Sequence, residues 1–302
     1  MATVDTTVET TVETPVDPET RLSARIIRLL KRTPVHIVLV LIAVSWLIPT
    51  TGLFITSLLT PSDAAQAGWW TYVTKPSTWT LENYANMFEN EGITHALWVT
   101  VLVTIGATIV PILVAALAAY ALAWIEFPGR DWLFLLVVGL LLVPIQMALI
   151  PIFRLYNKAE LFDTVLGLIL FHSAFALPLG IFLLRNFFIG IPKDLMEAAR
   201  IDGASEWRLF FKVVLPLGLP AIASLAILQV LFVWNDLLVG LVLAQQNQPI
   251  APAIAGQLRQ FGSNLDVLAP ASFFSAIIPR TVFALFQRYF VQGLLAASAT
   301  GW

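Results

Sequence analysis

Apolar residues in this chain come in long unbroken blocks rather than on one face of a helix or in alternation. The blocks cover residues 36–59, 96–125, 132–153, 165–187, 215–243 and 272–295. Each is about the 20 residues that a helix needs to cross the hydrocarbon of a bilayer. Six membrane-spanning helices are therefore predicted, and no stretch shows the two-residue period of a strand or a barrel. The expected fold class is an all-α membrane protein.

The polar stretches between the blocks differ from one another. Residues 1–20 repeat Thr, Val and Glu and hold too little apolar surface for a core, so a disordered acidic tail is expected. Arg21, Arg25, Arg28, Lys31 and Arg32 follow at near-helical spacing and predict a basic lead-in helix over residues 21–35. A cleaved leader is the rival reading of the first block, because Ala65-Gln66-Ala67 has the form of a cleavage site. The block is longer than the apolar core of a leader, which favours a retained span. Residues 60–94 read as a polar loop whose Trp69, Trp70, Tyr72, Trp79 and Tyr84 suit a membrane interface.

The most charged stretch is residues 190–216, GIPKDLMEAARIDGASEWRLFFKVVLP. Pro192 suits a first helical turn, Gly203 can adopt the left-handed conformation that stops a helix, and Ser205 can cap the next. The predicted product is a short helix, a glycine corner and a second helix re-entering the membrane at Pro216. A helix of about ten residues is about 15 Å long, enough to protrude and lodge in a partner's groove.

Composition agrees: 58% of residues are hydrophobic and 12% charged, and mean hydropathy is +0.83. A net charge of −2 offers no basic surface for nucleic acid, and the lack of cysteine excludes disulfides and thiolate metal sites. Lysine and arginine set orientation. Eleven lie on the side of the N-terminus (five), Arg130, and the loop holding Arg185, Lys193, Arg200, Arg208 and Lys212, against four on the other (Lys75, Arg154, Lys158, Arg259). Both termini and the charged loop are therefore expected in the cytoplasm.

No catalytic constellation is present. His36, His95 and His172 lie far apart, and neither H-E-x-x-H nor G-x-S-x-G occurs. His172, within an apolar block, fits a packed, hydrogen-bonded histidine. There is no G-x-x-x-x-G-K-[ST] phosphate cradle, so the chain is expected to be no enzyme and to bind no cofactor. Any work driven by ATP and Mg would need another chain to use them.

Ionisable and amide side chains inside apolar blocks are functional candidates. Gln229, Trp234, Asn235 and Asp236 could hydrogen-bond a hydroxyl-bearing ligand, with the indole as a stacking platform, and Gln146 beside Pro144 is a similar candidate. Asp236 could equally cap or pair with a neighbouring helix, Arg280 included. Pro49, Pro111, Pro144, Pro178, Pro220 and Pro279 put a proline in or beside every block. They fit ordinary tolerance in membrane helices as well as bends that shape a cavity.

Glu197-Ala198-Ala199, Gly203, Val213, Leu215 and Pro216 resemble the EAA motif of ABC importer permeases, with Val213 in place of its isoleucine. With Trp234-Asn235-Asp236 and the ending FQRYFVQGL, the chain from about residue 30 onward resembles the carbohydrate subunit of the maltose permease type. The resemblance implies a six-span type I importer fold over residues 36–302 in a bacterial cell membrane. It implies one half of a path for a di- or oligosaccharide or α-glucoside. The implied partners are a second permease in a heterodimer, two ATPase subunits and an extracytoplasmic solute-binding protein. Glu197, Ala198, Ala199, Arg200 and Gly203 would dock the ATPase; a Glu197–Arg200 surface pair is the plainer reading of those two. Gln245, Gln246, Asn247 and Gln248 would lie on a loop touching the binding protein, or on a solvated connector. A permease for a polyol or glycerol phosphate, a stand-alone carrier or channel, and a membrane scaffold are the alternatives.

Overall fold

A computed structural model describes the backbone of residues 18–261 and 264–299, and the side chains of residues 35–257 and 264–288. Among these residues every regular element is a helix, as expected. The chain forms two compact units, residues 1–52 and 53–302.

The first unit is most of α1 (Pro18–Ser57). Lead-in and first span are one uninterrupted helix of 40 residues. It starts at Pro18, inside the segment expected to be disordered; residues 1–17 of that segment lie outside the described residues. Val35 to Ile48 are exposed on every side, Trp46 by 79%. That is the pattern of a helix whose solvent is lipid or another apolar chain.

The second unit opens on residues that differ from expectation. Residues 60–94, expected as a loop, fold into α2 (Pro61–Gln66), two single 3₁₀ turns and α3 (Glu82–Glu89). The buried Asn83 amide donates to the carbonyls of Ser57 (3.1 Å) and Leu59 (2.6 Å) and holds this cap together. Thr60 and Asn90 accept helix-start N–H groups, local polar satisfaction that a polarity count overlooks.

Then follow α4 (Glu91–Trp124), α5 (Arg130–Leu140), α6 (Ile145–Lys158) and α7 (Val165–Ile189). The third predicted span is not one helix: α5 and α6 meet at 97° across residues 141–144. Pro144 lacks an N–H and biases Val143 away from helical angles, so the helix stops in apolar sequence. The other five prolines singled out lie inside continuous helices. α4 and α7 pack along each other, and α10 packs against both. Gly180 admits this close approach; a Cβ there would lie 3.0 Å from Ala115 and 3.2 Å from Leu225.

After α8 (Lys193–Ile201) and α9 (Glu206–Leu209), a π turn over Phe210–Val214 leads into α10 (Leu215–Trp234). The fifth span thus ends at Trp234 rather than residue 243; residues 235–237 break it, and α11 (Leu238–Leu243) follows. The carboxylate of Asp236 accepts from the N–H groups of Val239 and Gly240, stabilising a new helix start and hence the break. α12 (Ile250–Phe261) and α13 (Leu265–Ala299) complete the unit; α13 starts seven residues before the expected 272. Among the described residues, five helices are long and apolar enough to cross a membrane, six if the bent α5–α6 pair is one span.

Two apolar clusters hold opposite ends of α4 and α7. Ala119, Leu184, Phe188, Met196 and Leu209 pack at one end; Val99, Val103, Phe171, Val233 and Leu243 pack at the other.

Candidate functional site

The EAA residues form a corner at the first of these ends. α8 ends in a Schellman turn: the N–H of Gly203 bonds to the Arg200 carbonyl and that of Ala204 to the Ala199 carbonyl, each at 3.0 Å. Gly203 has φ 78°, and a Cβ there would meet nothing within 4 Å. The residue is constrained by conformation, not space. The Ser205 hydroxyl accepts from the Arg208 N–H and starts α9.

The two sides of α8 differ. Met196, fully buried, plugs the helix into the apolar cluster, and Ala199 packs against it. Glu197 and Ala198 are exposed, with Leu195 half exposed and Ile201 86% exposed. Across the corner Trp207 stacks on Phe211 with ring centroids 6.0 Å apart, and both are exposed. Bulky apolar groups on a polar corner are a mark of a protein contact.

Arg200 points the other way. It pairs with Glu206 (Nε to Oε1, 3.3 Å) and donates to the Trp124 carbonyl (3.4 Å), whereas no Arg200–Glu197 ion pair forms. The glycine corner brings Glu206 close enough to compete. The Tyr120 hydroxyl donates to the same carboxylate, and the Trp124 indole donates to the Phe188 carbonyl at 3.1 Å. Arg185 bonds the Leu122 carbonyl at 3.2 Å, and its guanidinium lies 3.8 Å from the Phe134 ring centroid. The corner is thus braced to the end of α4 by polar contacts, over an apolar plug shared with α7, and α7 is bonded to α4 in turn.

The membrane candidates are turned mostly toward neighbouring helices. The Trp234 indole, 5% exposed, donates to the Ser275 carbonyl (2.9 Å), joining α10 to α13. The Gln229 amide, also buried, donates to the Ala107 carbonyl (3.1 Å), joining α10 to α4. Asp236 caps α11 and lies 3.8 Å from Nε2 of His172, which is buried between Phe171 and Phe232. Arg280 bonds the Ala276 carbonyl of its own helix (2.7 Å). Asn235 and Gln146 are exposed; the Asn235 amide donates to the Leu231 carbonyl.

At this second end lie residues 245–248. Gln245 and Gln246 are exposed, Asn247 and Gln248 half-buried, and Gln248 bonds the Ala244 carbonyl (3.3 Å). One carboxylate holds the segment. Asp163, between α6 and α7, accepts the backbone N–H groups of Gln245 (2.8 Å), Gln246 (3.0 Å) and Asn247 (2.9 Å). Partial burial pushes its pKa up, and the three N–H donors outweigh that and hold it below the usual value of 3.8. Because the folded value is the lower one, this support is complete above the ordinary carboxylate range and fails only as pH drops through the lowered value.

Asp163, Glu206 and Tyr120 were not singled out in the sequence. Each meets a partner more than 80 residues away, so no local spacing reveals it. A Trp-Asn-Asp run at the end of an apolar block was visible, but not which neighbour each side chain meets.

A family model of binding-protein-dependent transport system inner membrane components matches residues 112–296. The osmoprotective compounds uptake permease protein of Synechocystis is 44% identical over 274 residues, 89% of this chain and 92% of that protein. The α-glucoside transport system permease protein of Rhizobium meliloti is 44% identical over 236 residues, 76% of this chain and 62% of that protein. A solved bacterial ABC transporter chain involved in import of the acidic polysaccharide alginate has the same fold. Its TM-score is 0.71 at 22% identity, over 92% of this chain and 100% of that one.

Proposed function

The chain belongs to the binding-protein-dependent transport system inner membrane components, the ABC importer permeases, and from that premise we propose that it forms half of a path for an α-glucoside or short oligosaccharide. It is a multi-pass membrane subunit, and permeases of this family have no ATPase site of their own. The proposed complex adds a second, different permease, two ATPase subunits that use ATP and Mg, and an extracytoplasmic solute-binding protein. The proposed location is a bacterial cell membrane, with both termini and the α8–α9 corner in the cytoplasm, the side favoured by its lysines and arginines.

The observation that carries the coupling role is the two-sided α8. Its exposed side offers Glu197, Ala198, Leu195 and Ile201 to an ATPase groove, while its buried side is plugged by Met196 and braced through Arg200. Ala199, at the edge of the core, lets the helix sit close, and Gly203 sets the exit angle. Closure of the ATPase pair on ATP would push the corner, and the brace would pass that push to α4 and α7. Alternating access of the path between the permeases would follow.

The substrate class rests on the α-glucoside permease relative. A second reading, a small osmoprotective solute, has the support of the Synechocystis relative. Uptake of radiolabelled trehalose, sucrose, maltose and glycerol by proteoliposomes with the full complex and its binding protein separates them. Saturable, ATP-dependent uptake of a disaccharide is expected. Transport of glycerol alone, or of any solute by this chain without ATPase, overturns the proposal.

A further inference from the structure

Asp163 sits where the chain is under backbone strain, and the strain has an evident use. Its φ is 57°, in the left-handed region that few non-glycine residues enter, and Glu160 three residues earlier has φ 56°. Such a conformation persists only where the surroundings over-determine it. Here they do. The Asp163 N–H donates to the Leu243 carbonyl (3.0 Å), its carbonyl accepts from the Asn247 side-chain amide (2.7 Å), and its carboxylate takes three consecutive backbone N–H groups. Every polar group of the residue is therefore committed to the end of α11 and the segment that follows it.

The turn carrying Asp163 is itself anchored. The Thr164 hydroxyl accepts from the Gly167 N–H (2.9 Å) and donates to the Leu161 carbonyl (2.7 Å). Tyr156 bonds the Gly167 carbonyl (3.1 Å), and Leu161 and Phe162 pack on the apolar cluster of this end. On the far side, Asn247 Oδ1 lies 3.2 Å from Nε2 of His95, and the Ile250 N–H donates to the Thr100 hydroxyl (2.7 Å). A segment of residues 244–249 without regular structure is thus fixed at both ends, while the side chains of Gln245 and Gln246 stay exposed. An exposed surface on a fixed backbone is a preorganised contact, and preorganisation reduces the ordering cost of association.

We propose that Asp163 is a positioning residue for docking of the solute-binding protein: it holds the backbone of residues 245–247 so that Gln245 and Gln246 meet the partner in one arrangement. This rests on the reading that the segment faces the binding protein. A carboxylate suits the task because it accepts several N–H bonds at once, and charge-assisted bonds are roughly twice as strong as neutral ones.

The test titrates purified binding protein against the complete transporter in nanodiscs, with trehalose, sucrose or maltose as the loading sugar, whichever stimulates ATP hydrolysis most. Asp163→Ala should raise the half-saturating concentration of binding protein about tenfold, an effect of the size expected when preorganisation is lost. The maximal rate at saturation and the amount of complex should stay within about twofold, a split that a folding defect does not give. Asp163→Asn, which keeps acceptor oxygen but not charge, should fall between. Deletion of residues 245–248 is run alongside. If the deletion raises the half-saturating concentration and neither Asp163 variant does, the positioning role is overturned and the docking segment stands. If the deletion itself leaves it unchanged, the reading of the segment falls and the proposal with it. A fall in maximal rate or complex yield alone, with half-saturation unchanged, also overturns it.

Discussion

The α8–α9 corner and the Trp234-Asn235-Asp236 stretch are both polar interruptions of apolar sequence, and they put their side chains to opposite uses. At the corner, Glu197 and Ala198 face outward and the inward side is sealed by Met196. At the end of α10, Trp234 is buried against α13 and Asp236 holds the start of α11. The difference follows from the surroundings. A polar group in water can be left free for a partner, whereas one buried in an apolar bundle must bond a neighbour or carry a desolvation cost of a few kcal/mol. Polar residues at a membrane helix end are therefore strong evidence of interhelical joints and weaker evidence of substrate contact.

The sharpest way to break this contrast is Trp234→Ala. If the indole is a joint, its loss removes a buried aromatic and a hydrogen bond, and stability should fall by about 3–5 kcal/mol. Thermal unfolding of the detergent-solubilised complex and its yield would report the loss, with the KM for sugar unchanged. A raised KM at unchanged stability would make the residue a stacking platform instead. Next in size is Gly203→Pro, which imposes φ near −65° where 78° is needed and removes the N–H bonded to Arg200. A cost of about 3 kcal/mol in the docked geometry implies roughly a hundredfold loss of uptake. ATP hydrolysis should persist and the chain should remain inserted; normal uptake would remove the corner from the coupling path.

Smaller effects sharpen the picture. Glu206→Ala strips the acceptor shared by Arg200 and Tyr120. Because the Arg200–Glu206 pair is partly exposed, its ionic part contributes about 0.2–1 kcal/mol. Uptake per ATP hydrolysed should therefore fall only several-fold, and Tyr120→Phe should fall less. Gln229→Met should cost about 1 kcal/mol of stability, since it removes one interhelical bond but keeps shape and leaves a carbonyl on α4 without its partner. A change in sugar selectivity in Gln229→Met would move that residue from joint to path.

Much of this was legible in the chain. Blocks of 20 or more apolar residues announced the spans, and Gly203 four residues after Ala199 announced the corner, because glycine readily takes the left-handed turn. The break between α5 and α6 lay hidden because residues 140–143, Leu-Leu-Leu-Val, are as apolar as the helices around them. Only Pro144 marked it, and prolines inside α4, α7 and α10 cause no such break. The brace and the Asp163 contacts were beyond reach for another reason. The Tyr120–Glu206 contact joins α4 to α9 and the Asp163 contacts join the α6–α7 turn to the segment after α11, pairs more than 80 residues apart, and a single carboxylate between two helices looks like a solvated loop residue until that packing is known.

The central claim is that the outer side of α8 is gripped by a separate nucleotide-hydrolysing chain. The protein has no cysteine, so Ala198→Cys introduces a single thiol at an exposed site. Membranes with the full complex, treated with a short thiol-directed photo-cross-linker, should give a covalent product containing this chain and the ATPase, identified by mass spectrometry. Trp132→Cys, exposed on α5 and not part of the corner, should give none. Cross-linking of the Ala198→Cys variant only to lipid, to the second permease or to nothing would contradict the account.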